Sequence, residues 1–199
     1  MFYIVMRGLF KIIFKIFFRL QVTGAENVPG TGPVIICSNH ISWLDPPLMG
    51  AVMKRRTSYM AKEELFDNFL LGLICRKLEA FPVKRKAADR RALKTALQIL
   101  NQGRVLALFP EGTRSKTGKL GKPLPGVGFI ALKSGAPVVP AAIKGPYKLF
   151  RPIEVSFGPP LVFDSRGNDK GKSMEKISLE IMGNIANMLG QKYDYQAAT

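Results

Sequence analysis

The sequence predicts an α/β fold with a mostly parallel sheet flanked by helices. Short runs that are apolar throughout, such as 34–37 and 105–108, are typical of strands buried on both faces. Segments with helical spacing of apolar residues, such as 89–101, separate these runs. A chain of 199 residues is also long enough for one domain with its own core.

The first half of the predicted domain begins after a turn. Residues 24–32 are rich in glycine and end before Pro33, so they mark the one clear boundary near the amino terminus. The apolar run that follows predicts a buried strand at 33–38. A helix at 46–54, a short strand at 58–61, a helix at 62–77 and a strand at 79–83 follow. The helix at 62–77 is predicted because its apolar residues recur at intervals of three and four.

The second half of the chain continues the alternation. The helix at 89–101 presents Leu93, Leu97 and Leu100 on one face and is closed by Gly103. Next come a buried strand at 104–109, a helix at 127–133 ended by Gly135, a strand at 138–143 interrupted by Pro140, an alternating strand at 153–157 and a closing helix at 172–189.

The first 22 residues are predicted to form a membrane-docking helix, distinct from the α/β domain at 23–199. Arg7, Lys11, Lys15 and Arg19 are spaced by four, so on a helix they drift by only about 40° each and form one stripe. The remaining surface is apolar and aromatic, which is typical of a helix lying in the interface of an anionic bilayer. The charges disfavour a spanning helix, which needs about 20 apolar residues. One alternative is a core helix with a solvated basic edge, and another is a steeply spanning helix whose lysines extend to the membrane interface.

The charge balance restricts the partners. The chain has 30 basic and 14 acidic residues, a net charge of +16, and such a field attracts polyanions. Nucleic acid, an anionic membrane face and phosphorylated substrates all fit this charge. Outside the first helix, however, the basic residues are not interleaved with aromatic ones, so we expect no nucleic-acid partner. Cys37 and Cys75 lie in apolar runs without metal-ligand spacing, and reduced thiols favour a cytoplasmic location.

The chain has a single histidine, His40, which follows the first predicted strand. Ligands of α/β sheets bind at that end of the strands, and imidazole is suited to act as a base near neutral pH. Asp45 supplies a carboxylate to orient it. On a regular helix the two would diverge by about 140°, so the pair requires a turn at 41–44, which Pro46 favours. Alternatively, His40 is structural, and Asp45 caps a helix that has Pro46 at its first position.

A second polar cluster follows the strand at 104–109. Arg114 offers a planar fork for a phosphate. Glu111 is suited to accept a hydroxyl donor or to brace Arg114, and Gly112 and Thr113 allow a tight turn with exposed N–H groups. The alternative is a polar turn that leads into a lysine-rich loop.

A third cluster is basic and follows the strand at 79–83. Lys84 and Arg85 are suited to hold a phosphate, or else they form a solvated basic edge. No serine nucleophile elbow, nucleotide-binding loop or metal-ligand spacing is present. We therefore expect direct transfer assisted by a base, with no covalent intermediate, no cofactor and no metal.

Four blocks in order resemble the glycerophosphate acyltransferase superfamily, in particular its bacterial 1-acyl-sn-glycerol-3-phosphate acyltransferases. The blocks are Asn39-His40 with Asp45, the run 81–85, the run 109–115 (FPEGTRS), and the run 138–143 (VVPAAI). The agreement covers about residues 22–160. Ala141 stands where valine is common. The short chain also leaves little room for a second membrane segment, so docking is expected to use the first helix and the apolar residues Phe66, Phe69, Leu70 and Leu71.

The resemblance implies an enzyme and its roles. His40 would be the general base on the sn-2 hydroxyl of lysophosphatidic acid, and Asp45 its orienting partner. The implied substrate-binding residues are Lys84, Arg85 and Arg114 at the phosphate, with Glu111, Gly112 and Thr113 shaping the acceptor site. The donor would be acyl-CoA or an acyl carrier protein.

The product would be phosphatidic acid for phospholipid biosynthesis, made at the cytoplasmic face of the cell membrane by a peripheral or monotopic protein. Two alternatives remain open. One is an acyltransferase for another lysolipid, and the other is a non-catalytic protein that binds anionic membranes.

Overall fold

The computed structural model describes residues 1–84, 89–164 and 169–193. Its helices are α1 (Phe2–Phe17), α2 (Asp45–Val52), α3 (Phe69–Lys77), α4 (Arg90–Asn101), α5 (Pro125–Ser134) and α6 (Met174–Leu189). Its strands are β1 (Gln21–Thr23), β2 (Val34–Ser38), β3 (Thr57–Lys62), β4 (Ala80–Val83), β5 (Val105–Leu108), β6 (Val138–Lys144) and β7 (Glu154–Phe157). Short 3-10 turns cover Ala25–Asn27 and Glu63–Phe66.

These strands form one sheet in the order β1-β7-β6-β2-β5-β3-β4. Neighbouring strands in it are parallel, except that β6 and β7 are antiparallel. The predicted α/β fold with a mostly parallel sheet is therefore confirmed. As β2, β5, β3 and β4 all run in one direction, the loops that follow them meet at one edge, where α/β proteins bind their ligands.

Both faces of the sheet are covered, which explains the uninterrupted apolar runs. Alternate residues of β2 enter different clusters: Ile35 and Cys37 face α4, α5 and α6, whereas Val34 and Ile36 face α1 and α2. All four side chains are fully buried. The site-bearing loops therefore extend from strands that are held on two sides.

The helix predicted at 62–77 is divided in the structure. A 3-10 turn covers Glu63–Phe66, and α3 begins after Asn68, whose side chain accepts a hydrogen bond from the Leu71 N–H at 3.0 Å. The apolar spacing continues across this break, so periodicity alone did not reveal it. Strand β1 was not predicted, because its three residues are all exposed and carry no apolar pattern.

The predicted first helix is confirmed as α1, but its apolar surface is divided. Tyr3 and Phe14 are buried against the domain, and the Tyr3 hydroxyl accepts a hydrogen bond from the Thr57 N–H at 3.1 Å. The exposed apolar residues of α1 are Phe2, Ile4, Val5, Leu9, Ile12, Ile16 and Phe17. Position 22, the predicted boundary, lies within β1. Within the ranges the structure describes, every helix is too short or too polar to cross a bilayer.

The contact between α5 and α6 predicts a strong effect of one methyl group. A Cβ on Gly128 would overlap the carbonyl oxygen of Met174 and lie 2.9 Å from the Ser178 hydroxyl. We expect Gly128→Ala to lower the free energy of unfolding by about 2 kcal/mol, as overpacking does. Urea denaturation measures this. Gly183→Ala in α6 is the control, because no atom outside the local backbone of its own helix lies within 4 Å of the added Cβ. It should raise stability slightly, and equal losses in both variants would contradict the expectation.

Candidate active site

His40 lies two residues past the end of β2 and is 7% exposed. Its Nδ1 is 2.7 Å from Oδ2 of Asp45. An ionised carboxylate only accepts hydrogen bonds, so a neutral imidazole on this partner carries its proton on Nδ1. Nε2 then keeps a lone pair and is able to accept a proton from another group. The structure brings together the pair that the sequence singled out.

The turn that this pair requires is closed by Asp45 itself. Oδ2 of Asp45 accepts hydrogen bonds from the N–H groups of Ile41 at 2.6 Å and Ser42 at 2.7 Å. The capping position of α2 is Leu44, and Asp45 is the first helical residue. The alternative that Asp45 caps the helix therefore differs from the structure, because its carboxylate turns back onto the preceding loop.

Tyr147 contacts the same carboxylate and was not singled out from the sequence. Its hydroxyl donates to Oδ1 of Asp45 at 2.5 Å. Burial raises the pKa of Tyr147, and the Asp45 carboxylate raises it further, so the phenol remains a donor at neutral pH. Tyr147 follows β6, which pairs with β2, and 102 positions separate it from Asp45. A tyrosine just past a strand next to the His40 strand was the one available signal.

The loop after β5 contacts the backbone of His40 through Glu111. Glu111, which is 7% exposed, accepts the His40 N–H at 3.1 Å through Oε1 and the Gly121 N–H at 2.9 Å through Oε2. Burial raises the pKa of the Glu111 carboxyl, while these N–H groups and His40 oppose that shift. Glu111 thus braces backbone rather than Arg114, and the described residues contain no ion pair between Glu111 and Arg114.

Two further contacts join the loops after β2 and β5. The Ser115 N–H donates to the carbonyl oxygen of His40 at 2.8 Å. The ring of Phe109 stacks on the imidazole with centroids 4.2 Å apart and planes 20° from parallel. The imidazole is therefore held on its flat side as well as through Nδ1.

The tight turn predicted at 112–113 is present. Gly112 has a φ of +63°, and a Cβ there would lie 2.5 Å from Cδ1 of Leu124. Its N–H donates to the Phe109 carbonyl at 2.9 Å rather than being exposed. Thr113 is exposed. The turn brings Arg114 beside Trp43, with the guanidinium carbon 3.6 Å from the centroid of the indole.

The third predicted cluster lies farther away. Lys84 follows β4, at the same edge of the sheet but three strand positions from β2, or roughly 14 Å. It is exposed, with Nζ 3.7 Å from Oε2 of Glu63. Arg85 falls outside the described residues. The structure therefore groups His40, Asp45, Glu111 and Arg114, and leaves Lys84 apart from them.

Comparison with known proteins gives consistent results. The family model described as Acyltransferase matches residues 19–144. A 1-acyl-sn-glycerol-3-phosphate acyltransferase of Bacillus subtilis is 35% identical over 138 residues, 68% of this chain and 68% of that protein. The enzyme of the same name from Streptococcus pneumoniae is 28% identical over 86% of this chain and 67% of its own length.

A solved structure agrees as well. The crystal structure of the 1-acyl-sn-glycerophosphate (LPA) acyltransferase PlsC from Thermotoga maritima matches with a TM-score of 0.75 and 27% identity. The match covers 96% of this chain and 81% of that one.

The hydrogen bond from Tyr147 to Asp45 predicts a loss of stability when the hydroxyl is removed. Tyr147→Phe would leave one oxygen of a fully buried carboxylate without this donor. Hydrogen bonds to charged groups contribute about 1.5–3 kcal/mol, so we expect a loss of about 2 kcal/mol in urea denaturation. Tyr59→Phe is the matched control, since the Tyr59 hydroxyl is buried without a hydrogen-bond partner in the described part of the chain. That change should be neutral or stabilising, and equal losses would argue against the role of Tyr147.

Proposed function

The chain belongs to the acyltransferase family, and from this premise we infer that it acylates 1-acyl-sn-glycerol 3-phosphate to phosphatidic acid. The observation that carries the inference is the His40–Asp45 pair at 2.7 Å, placed at the ligand-binding edge of the sheet. The family model spans the loops that hold both residues as well as Arg114.

We propose that His40 is the general base. Nε2 removes the proton from the sn-2 hydroxyl as that oxygen attacks the carbonyl carbon of a thioester. A carbon–oxygen bond forms and the carbon–sulfur bond breaks. The proton on the imidazolium then passes to the departing sulfur, so the histidine is regenerated. Asp45 lowers the energy of the imidazolium, and its hydrogen bond to Nδ1 keeps Nε2 free for the reaction.

We propose that Arg114 binds the phosphate of the acceptor. It is two residues past Gly112, and the Ser115 N–H that follows it is bonded to the His40 carbonyl, so its backbone is held close to the base. Lys84 lies on the same edge of the sheet, and its charge, with that of Arg85, is proposed to attract the anionic headgroup. Glu111 contributes by holding the two loops together, and Thr113 is exposed at the mouth of the site.

The donor is proposed to be a thioester of CoA or of an acyl carrier protein. Both carriers are acidic, and the net charge of +16 favours their approach. The two donors differ in size and in the distribution of charge, so comparing their rates distinguishes them.

We propose that the protein docks on the anionic cytoplasmic face of the cell membrane. The exposed apolar residues of α1 lie beside Lys11 and Lys15, which are also exposed. Phe150 is 62% exposed and extends this apolar surface, since its N–H donates to the carbonyl of Phe17 at 2.6 Å and the two rings lie 6.3 Å apart. The tip of α3 adds a second apolar patch, in which Phe69 is 85% exposed.

Replacing the base tests the catalytic assignment. We expect His40→Ala to lower acyl transfer by about a hundred- to ten-thousandfold, the usual contribution of a general base. The measurement is phosphatidic acid formed from 1-acyl-sn-glycerol 3-phosphate in detergent micelles, with acyl-CoA and acyl carrier protein supplied in parallel. Lys133→Ala, a change on the exposed face of α5 outside the site, is the control variant and should retain wild-type activity. Circular dichroism checks that each variant is folded.

A near-normal rate for His40→Ala would contradict the assignment of the base. If the folded wild type formed no product with either donor, the acceptor would be another lysolipid. If no lysolipid were acylated, the protein would instead be a membrane-binding protein without this activity.

The exposed apolar residues of α1 predict a separate effect on membrane binding. Ile12 is 58% exposed, and its insertion into lipid would contribute about 1.5–3 kcal/mol. We therefore expect Ile12→Gln to weaken sedimentation with vesicles of phosphatidylglycerol and phosphatidylcholine by roughly tenfold or more. Val162→Gln is the matched control, because Val162 is 68% exposed outside this surface. Equal binding of the two variants would show that α1 does not dock on lipid.

A further inference from the structure

Trp43 and Arg114 form a contact that the proposed reaction does not explain. Trp43 is the one tryptophan of the chain and is 68% exposed, although it lies two residues before the buried Asp45. The guanidinium carbon of Arg114 is 3.6 Å from the centroid of its indole, a stacking distance. Exposing a large aromatic ring to water is unfavourable, so the contact of Trp43 with Arg114 suggests a functional role for the ring.

The backbone on both sides of this contact is fixed by the active site. Trp43 lies in the turn that Oδ2 of Asp45 closes through Ile41 and Ser42. Arg114 precedes Ser115, whose N–H bonds to the His40 carbonyl at 2.8 Å and whose hydroxyl donates to the Lys119 carbonyl at 2.7 Å. The Trp43–Arg114 stack therefore joins the two loops that hold His40.

Stacking leaves the donor edge of the guanidinium available. Arginine presents five N–H groups in its plane, whereas the indole occupies only the face. Across the described ranges, the guanidinium of Arg114 has no carboxylate within ion-pair distance and no hydrogen-bond acceptor. A carboxylate would also hold the side chain in place, but it would take up those N–H groups and compete with an anionic ligand. An aromatic ring orients the guanidinium without that competition.

We propose that Trp43 is a positioning residue of the acceptor site: its indole holds Arg114 so that the N–H edge binds the phosphate monoester of the acceptor. This rests on the proposed function, and it adds a residue that acts through Arg114 rather than on the reacting atoms. The proposal predicts that Trp43 governs how strongly the acceptor is held, not how fast the bound acceptor reacts.

Kinetics on a soluble acceptor test this without interference from lipid binding. With 1-hexanoyl-sn-glycerol 3-phosphate below its micelle concentration, Trp43→Leu should raise the KM for the acceptor roughly two- to fivefold, the usual worth of an exposed cation–π contact. The kcat should change much less. Trp43→Phe keeps a ring face and should recover most of the loss. An unchanged KM, or a rise seen only with acceptors in vesicles, would overturn the proposal and assign Trp43 to the lipid surface.

A double-mutant cycle separates positioning from a general effect on the loop. In an Arg114→Ala background the stack is already lost, so adding Trp43→Leu should raise the KM no further. If Trp43→Leu raised the KM by the same factor with and without Arg114, the indole would not act through the guanidinium. Thermal unfolding of all three variants checks that each is folded.

Fluorescence gives a readout that does not depend on turnover. Since all tryptophan emission arises from Trp43, titration with sn-glycerol 3-phosphate should give a saturable change in the wild type. Arg114→Ala should abolish it, and Lys133→Ala should leave it intact. No change in the wild type, or the same change in Arg114→Ala, would overturn the proposal. A wild type that shows the change but transfers no acyl group would refute the proposed function while leaving the phosphate site in place.

Discussion

The buried carboxylate of Asp45 accepts four hydrogen bonds, from the imidazole of His40, the N–H groups of Ile41 and Ser42, and the hydroxyl of Tyr147. A charge with no exposed surface is stable only where such donors replace water. Each donor must therefore lie within hydrogen-bonding distance of this carboxylate in the folded protein. The geometry of the base, the path of the 41–44 turn and the position of the loop after β6 all follow from this single group.

A second buried carboxylate extends the arrangement to the neighbouring strand. Glu111 joins the His40 N–H to the Gly121 N–H, so it connects the loop after β2 with the segment that leads into α5. Because β2 and β5 are adjacent and parallel, both loops leave the sheet at the same edge. The Glu111 carboxylate therefore positions both loops through their backbone N–H groups. Trp43 and Thr113 are exposed beside these loops, and Arg114 is half-buried there.

The loop after β6 connects the proposed active site to the proposed membrane surface. Tyr147, which contacts Asp45, packs its ring on Phe18 just past α1 at 6.1 Å. Three residues later, Phe150 bonds to Phe17 through its backbone and stays exposed. One short loop thus contacts both the active-site carboxylate and the end of the first helix.

The sequence by itself determined the alternation of buried strands and helices, because apolar spacing is a local property that each segment carries. It also singled out His40 with Asp45, because Pro46 favours a turn at 41–44 that brings the two together and because four blocks in order resemble one known family. Tertiary structure alone decided the bonding of Tyr147 and Glu111, whose partners lie 102 and 71 positions away, and it divided α1 into a buried and an exposed side. It also decided the stack of Trp43 on Arg114. Contacts of this kind depend on which strands become neighbours and on where their loops end, and no local pattern encodes either.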